Sequence, residues 1–441
     1  PFISGGLGTA CYGLTKAMSE SGTEVLFLLP KPVESSYSTH VTMVSPKGRP
    51  IEGSSTYRMQ EFEHVIFRTL DAGVGLSAYA KPELESNTPV DEESKARQAK
   101  ALETAGIYAS TDYANSPTEG FLDIGGVHYH GDMFVEIARY ARLATQIAAQ
   151  EQFDVVHAHD WMTYRAGIAV AALSGKPLVV HVHSTEFDRS GENVNQRIYD
   201  VERQGMHAAQ QVIAVSYLTK NIITSRYGVP ADRVHVVYNA IDFDGNNLPG
   251  EINDIGRNER LVLFLGRITM QKGPEYFLGA AKKVLEVVDN VRFVMAGSGD
   301  MIRRTIEMAA EMGIGHKVLF TGFLRGSDVE RVFKMADLYV MPSVSEPFGI
   351  APLEALSHDV PVIISKQSGV SEVLTHVLKV DFWDINEIAN KIIAVLRHPS
   401  LQKTLKEHGR FEVRKFSWND SARQCLDIYH KAMSPLSLVA N

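Results

Sequence analysis

Short β-branched or apolar runs alternate with stretches of helical periodicity from one end of the chain to the other. That alternation is the signature of parallel sheet covered by helices on both faces. Strands are expected at residues 24–29, 40–44, 64–68, 154–157, 178–183, 211–215 and 234–237. A second set is expected at 261–265, 292–296, 317–321, 338–341, 361–364 and, more weakly, 377–380. Amphipathic helices are expected between them, among others at 133–150, 274–287 and 302–311. No tandem repeat is visible, although each half reads as a doubly wound α/β unit.

At 441 residues the chain exceeds what one hydrophobic core usually organises. The rhythm breaks at 245–259, rich in Gly, Asn, Pro and charge, and the hinge belongs there. Residues 1–245 are therefore expected to form one Rossmann-like domain, with a polar, irregular insertion or lid at about 80–126. Residues 246–418 form the second domain, and 419–441 a final helical segment. The chain opens at Pro1 on a Gly-rich turn that in α/β proteins follows a strand, so a first strand is expected to be missing ahead of it.

The formal charge of −8, from 44 Lys and Arg against 52 Asp and Glu, argues against gripping nucleic acid or anionic membrane through bulk charge. Phosphate contacts must be local. Cys11 and Cys425 are the only cysteines, which supports neither a disulfide framework nor a cysteine-based zinc site and fits a reducing, cytoplasmic setting. No apolar run of spanning length and no basic-then-apolar leader is visible.

Two turns at strand ends carry chemistry. After the strand at 338–341, the segment 343–356 holds Glu346 and Glu354 eight positions apart, bracketing a loop and the first turns of a helix. Ligands of open α/β sheets bind beyond the carboxyl ends of strands. Glu346 can accept from sugar hydroxyls there, and Glu354, about two helical turns along, can reach a second polyol such as a ribose. Gly349 lets backbone amides approach the ligand where the helix begins. After the strand at 261–265, Arg267 and Lys272 flank another such turn and can stabilise the charge that grows on a departing diphosphate. The alternatives are an acidic cap with a solvated Glu and a pair of surface cations.

Three weaker signals accompany them. The turn at Gly297-Ser298-Gly299 allows close approach to a base or phosphate, or is a plain tight turn. Ser4-Gly5-Gly6-Leu7-Gly8-Thr9 opens a helix whose amides point at whatever fills the cleft. A nicotinamide fingerprint fails there, because Cys11 stands where a third Gly or Ala is needed and Pro30-Lys31 replace the ribose-binding acid. Histidines gather as His157-Ala158-His159 and His181-Val182-His183. Alternation puts each pair on one face of its strand, but no clear third ligand is evident, so no metal is assigned. His183, last in its strand, suits a neutral donor to a sugar hydroxyl.

Together these residues resemble the retaining glycosyltransferases of the GT-B fold, family four of the group-one transferases, with glycogen and starch synthases among the relatives. Glu346 to Glu354 looks like that family's Glu-seven residues-Glu motif, followed in strength by Gly266-Arg267 with Lys272-Gly273. His159-Asp160-Trp161, Gly5-Gly6-Leu7 and Phe416-Ser417-Trp418 are similar to glycogen synthase segments. In such enzymes the last helix crosses back onto the first domain. The resemblance implies that Arg267 and Lys272 bind the donor diphosphate, Glu346 the transferred sugar and Glu354 the ribose. His183 would contact the sugar near the reacting centre, and Gly6 would meet the distal phosphate. Gly5, Gly297, Phe348, Gly349 and Ile350 would complete the donor site, while His159, Asp160 and Trp161 would lie on the sugar and acceptor side. It further implies hexosyl transfer from a UDP- or ADP-sugar to a carbohydrate acceptor, α-glucan first, with no cofactor, no metal, no nucleic acid and no integral membrane segment. Exopolysaccharide, lipopolysaccharide or small-glycoside synthesis is the alternative, and a non-catalytic sugar-binding protein the more distant one. Departures loosen the glucan synthase assignment: Ile3-Ser4 precede Gly5 where a Lys is usual, and Ser184 follows His183 where an Asn is common.

Overall fold

The computed structural model describes residues 6–29, 41–42, 54–59, 64–70, 92–107, 133–242 and 259–434. Gly5, most of the expected insertion and nearly all of the expected hinge lie outside them. Four strands, β1 (Val25–Leu29), β2 (Val41–Thr42), β3 (Ser54–Met59) and β4 (Val65–Leu70), form a sheet in the order β1-β4-β3-β2. Four more, β5 (Val156–His159), β6 (Leu178–Val182), β7 (Gln211–Ala214) and β8 (Val234–Val236), lie parallel in sequential order. The other domain is one six-stranded parallel sheet. Its strands are β9 (Arg260–Leu265), β10 (Val291–Ala296), β11 (Val318–Gly322), β12 (Leu338–Met341), β13 (Val362–Ser365) and β14 (Leu378–Val380), in the order β11-β10-β9-β12-β13-β14.

The architecture is the expected two-domain α/β one, with three corrections. Strand β3 is absent from the expected set, and it pairs antiparallel with both β4 and β2, so the first sheet is mixed. Its sequence, Ser-Ser-Thr-Tyr-Arg-Met, carries little apolar alternation to announce it. The expected irregular insertion contains a helix, Glu92–Thr104, that packs on the helix Trp161–Ser174 and leads into the buried Ala105 and Ile107. Finally, β5 runs two residues later than expected, Val156–His159, which brings His159 inside the strand with His157.

The elements form for ordinary reasons. Strands β12 and β13 are buried at every position, as sheet covered on both faces requires. Helix Pro274–Leu285 begins with Pro at its first turn and buries Phe277, Leu278, Ala281 and Val284, one stripe of a 3.6-residue period. Strand order reverses at β9: β10 and β11 extend to one side, β12, β13 and β14 to the other. The carboxyl ends of β9 and β12 therefore flank the switch point, where an open sheet leaves a crevice.

The last helix, Trp418–Met433, is capped by Ser417, whose Oγ accepts from Asn419 N at 3.2 Å. It packs against helix Gly6–Glu20 and reaches β6 and β7. Ser421 Oγ donates to Tyr238 O at 2.8 Å, and the Trp418 ring lies over Gly13. A Cβ at residue 13 would stand 2.2 Å from that ring. We expect Gly13→Ala to cost about 1–3 kcal/mol through overpacking, read as a lower urea midpoint at unchanged slope. Gly6→Ala, whose Cβ would meet nothing within 4 Å, should leave the midpoint where it is; equal midpoints for both variants would show that the Trp418 contact is not tight.

Candidate functional site at the switch point

Glu346 and Lys272, 74 residues apart, meet where β9 and β12 end. The Lys272 ammonium donates to Glu346 Oε2, and Ser343 Oγ donates to the same oxygen at 3.3 Å. Glu346 is only 6% exposed, so its charge must be compensated locally, and the Lys272 side chain, 21% exposed, does so. The turn carrying Lys272 is a single 3₁₀ turn, Met270–Lys272, closed by Gly273 at φ 66°. A side chain at 273 would put its Cβ 2.1 Å from Pro342 O, so glycine is what lets this turn lie against the end of β12. Val344 N donates to Gln271 O at 2.9 Å and ties the two turns together. Arg267 belongs to the same turn and donates from Nη2 to Gln271 Oε1 at 3.2 Å.

The backbone of the Glu346 loop is fixed from its other side. Glu346 N donates to Gln367 O, Gly369 N to Glu346 O and Val370 N to Phe348 O, at 2.9, 2.9 and 2.7 Å, a short parallel bridge to the segment after β13. Gly297 sits at φ 145°, and a Cβ there would fall 1.8 Å from Gly266 O, so the ends of β9 and β10 approach as only glycine permits. Glu354 lies in the helix Ala351–Ser357, half-buried, and burial pushes its carboxyl up to about 7.

The first domain reaches this site through a capping box. Thr185 Oγ1 accepts from Asp188 N while Asp188 Oδ2 accepts from Thr185 N, at 3.4 and 2.7 Å, opening the short helix Glu186–Ser190. That helix lies against the Met270–Lys272 turn. Asp188 Oδ1 accepts from Ser345 Oγ at 2.6 Å, one residue before Glu346. His183 stands two residues ahead of the box. Burial pulls its imidazole down to about 3 and keeps it neutral, and its Nε2 lies 3.0 Å from His159 Nδ1. Asp160 holds the His183 loop: its Oδ1 accepts from His183 N at 2.7 Å and Ser184 N at 3.3 Å. Burial pushes the Asp160 carboxyl up to about 6. Its backbone is left-handed, φ 59°, a conformation that costs a non-glycine residue about 1–3 kcal/mol.

Lys272 and Glu346 are thus in direct contact, Arg267 is joined through Gln271, and His183 stands two residues before Thr185, whose partner Asp188 bonds Ser345. Several other candidates are packing residues by side chain. Trp161 is 4% exposed and sits against Phe134 at 5.8 Å between ring centroids, in the core and not on a ligand surface. Phe348, 2% exposed, and Ile350, 8%, have their side chains in the core between the domains. Gly6 begins its helix, and Gly5 falls outside the described residues. Asp188 and Ser345 were not among the candidates, although Thr185-Glu186-Phe187-Asp188 is a legible capping-box sequence. Glu372 was also missed. Its carboxylate accepts from Tyr217 N and Leu218 N, at 2.9 and 2.7 Å, at the start of a helix of the other domain, and from the Tyr238 hydroxyl at 3.2 Å.

Both domains match known families. Residues 110–244 match Glycosyltransferase Family 4, and residues 251–411 match Glycosyl transferases group 1. An uncharacterized glycosyltransferase of Methanocaldococcus jannaschii is 34% identical over 304 residues, 65% of this chain and 77% of its own. The chain belongs to the group 1 glycosyltransferases. An alpha-maltose-1-phosphate synthase of Mycolicibacterium smegmatis is 31% identical over 317 residues, 64% of this chain and 80% of that one. The structure of sucrose-phosphate synthase from Thermosynechococcus elongatus superposes with a TM-score of 0.68 at 18% identity, covering 97% of this chain and 94% of the other. The fold of this glycosyltransferase is GT-B. Among its described residues no helix is long and apolar enough to cross a membrane.

Gly297→Ala tests whether the strand ends must touch. The forced separation of β9 from β10 should lower stability by about 2 kcal/mol or more, in the range of backbone strain combined with overpacking. A chemical-denaturation midpoint equal to that of the parent chain would refute the close approach.

Proposed function

We propose that this group 1 glycosyltransferase moves a hexosyl unit, glucosyl first, from a UDP- or ADP-sugar to a carbohydrate acceptor, with retention and without a metal in the reaction. The observation that carries the reading is the Lys272–Glu346 pair at the sheet's switch point, with a helix of the other domain resting on it. In this reading Lys272 and Arg267 neutralise the diphosphate as it leaves, which is worth most where water is excluded. Glu346 orients the sugar through its hydroxyls, and Glu354 receives the ribose. The amides after Gly6 and beside Gly297 and Gly349 meet phosphate or base. His183, held neutral, contacts the sugar, with His159 and Asp160 behind it. The departing phosphate itself takes the acceptor proton, so no protein nucleophile is required. α-Glucan is the first acceptor by resemblance. A small sugar phosphate is the second, favoured by the relative that is an alpha-maltose-1-phosphate synthase. The proposed setting is cytoplasmic.

The test is nucleotide diphosphate release from UDP-, ADP- and GDP-sugars with glycogen or glucose 1-phosphate, and the anomeric configuration of the product by NMR. An α-linked product from an α-linked donor supports the proposal; no release from any pairing, or inversion, would sink it. Glu346→Gln should lower turnover by roughly 10²–10³-fold, the effect of losing one preorganised partner, with a melting temperature within about 2–4 °C of the parent. Equal losses in stability and turnover would mark Glu346 as structural.

Glu354 gives a pH signature. With its carboxyl near 7, it is mostly protonated at pH 6 and mostly a hydrogen-bond-accepting carboxylate at pH 8. The donor KM should therefore fall as pH rises through 7, by up to about tenfold for one ionisation coupled to binding. Glu354→Gln should flatten that dependence; an unchanged profile would remove Glu354 from the donor site.

A further inference from the structure

Parallel pairing of β5 with β6 sets His159 opposite His181 and joins the two His-x-His pairs into one ladder. Ring centroids lie 4.2 Å apart for His157 and His159, 5.2 Å for His159 and His181, and 4.2 Å for His181 and His183. Taken along one strand, each pair lacked a third ligand; across the sheet, one ring nitrogen from each of His157, His159 and His181 lies within 4.8 Å of the other two. His181 is 2% exposed, and neither of its ring nitrogens has a hydrogen-bond partner. The buried Nε2 of His157 is also without one. Orphaned buried polar atoms cost about 1–3 kcal/mol each, and a bound ion would satisfy one on His157 and one on His181 together. The Tyr429 hydroxyl hydrogen-bonds His157 Nδ1 at 2.6 Å, which fixes that ring and leaves Nε2 for the occupant.

We infer that His157, His159 and His181 form a site for one divalent transition-metal ion of the zinc class, which adjoins the proposed sugar site through His159 but takes no part in the transfer step. Three imidazole nitrogens suit zinc, nickel or cobalt and do not suit magnesium or calcium, which require oxygen. Nitrogens on a tetrahedral zinc ion lie roughly 3.3 Å apart; His157 and His181 stack here at 5.4 Å with planes within 5°, so the His181 ring, which no hydrogen bond holds, must turn out of that stack to close the set. Cys11, His159 and His183 form a second convergent trio that shares His159. The orphaned nitrogens belong to the first trio, and the ion is assigned there.

The test uses the full chain, expressed with zinc in the medium, desalted and analysed by elemental mass spectrometry, with magnesium as the control. One zinc per chain and a raised melting temperature are expected. His157→Gln and His181→Asn, each checked for fold by circular dichroism, should each raise the zinc dissociation constant by at least roughly 10–100-fold, the loss caused even by an outer-shell change. Cys11→Ser should retain the ion, and the cobalt form should lack a sulfur-to-cobalt charge-transfer band. The inference is overturned if no zinc is retained, if both histidine variants retain it, or if Cys11→Ser loses it. Metal content is read without donor or acceptor, so this result and that of the transferase assay stand apart.

Discussion

A carboxylate withdrawn from water needs a cation beside it, and at Glu346 that cation comes from 74 residues away. Meeting this demand fixes much else. The 3₁₀ turn must lie against the end of β12, which only Gly273 allows, and the Glu346 loop must be clamped from behind by the segment after β13. Arg267 and Gln271 are carried along in the same turn. The result is a preorganised pair of opposite charges at the mouth of a parallel sheet, where a polar ligand that brings both phosphate and hydroxyls can find a partner for each.

The second domain was legible because its physics is local and periodic. Fully buried strands such as β12 and β13 announce themselves by composition, and the two site turns follow strands that composition locates well. What the sequence could not say is that β9 and β12 are neighbours; strand order is a property of the whole sheet. The convergence of Arg267, Lys272 and Glu346 was therefore inferred by resemblance, and its cause, a reversal of strand order at β9, is visible only in three dimensions.

The first domain was less legible for the same reason in reverse. Strand β3 is held by antiparallel neighbours on both sides and needs no apolar alternation of its own, while helix Glu92–Thr104 offers few apolar residues and packs by small ones such as Ala101. Trp161 was placed on the sugar and acceptor side by resemblance alone, and its indole, 4% exposed, packs against Phe134. The neighbouring Asp160 shows where constraint is concentrated instead: a strained backbone retained because its carboxylate organises the His183 loop.

The Glu372 carboxylate is an exposed group that closes over the start of a helix in the opposite domain. Attraction of this kind weakens as mobile ions gather around it, with a reach of about 8 Å at physiological ionic strength. Unlike the part-buried Asp188–Ser345 link, this rim contact is exposed to ions in solution. Of the described contacts between the two lobes, the one made by Glu372 is thus the most open to the salt around the molecule.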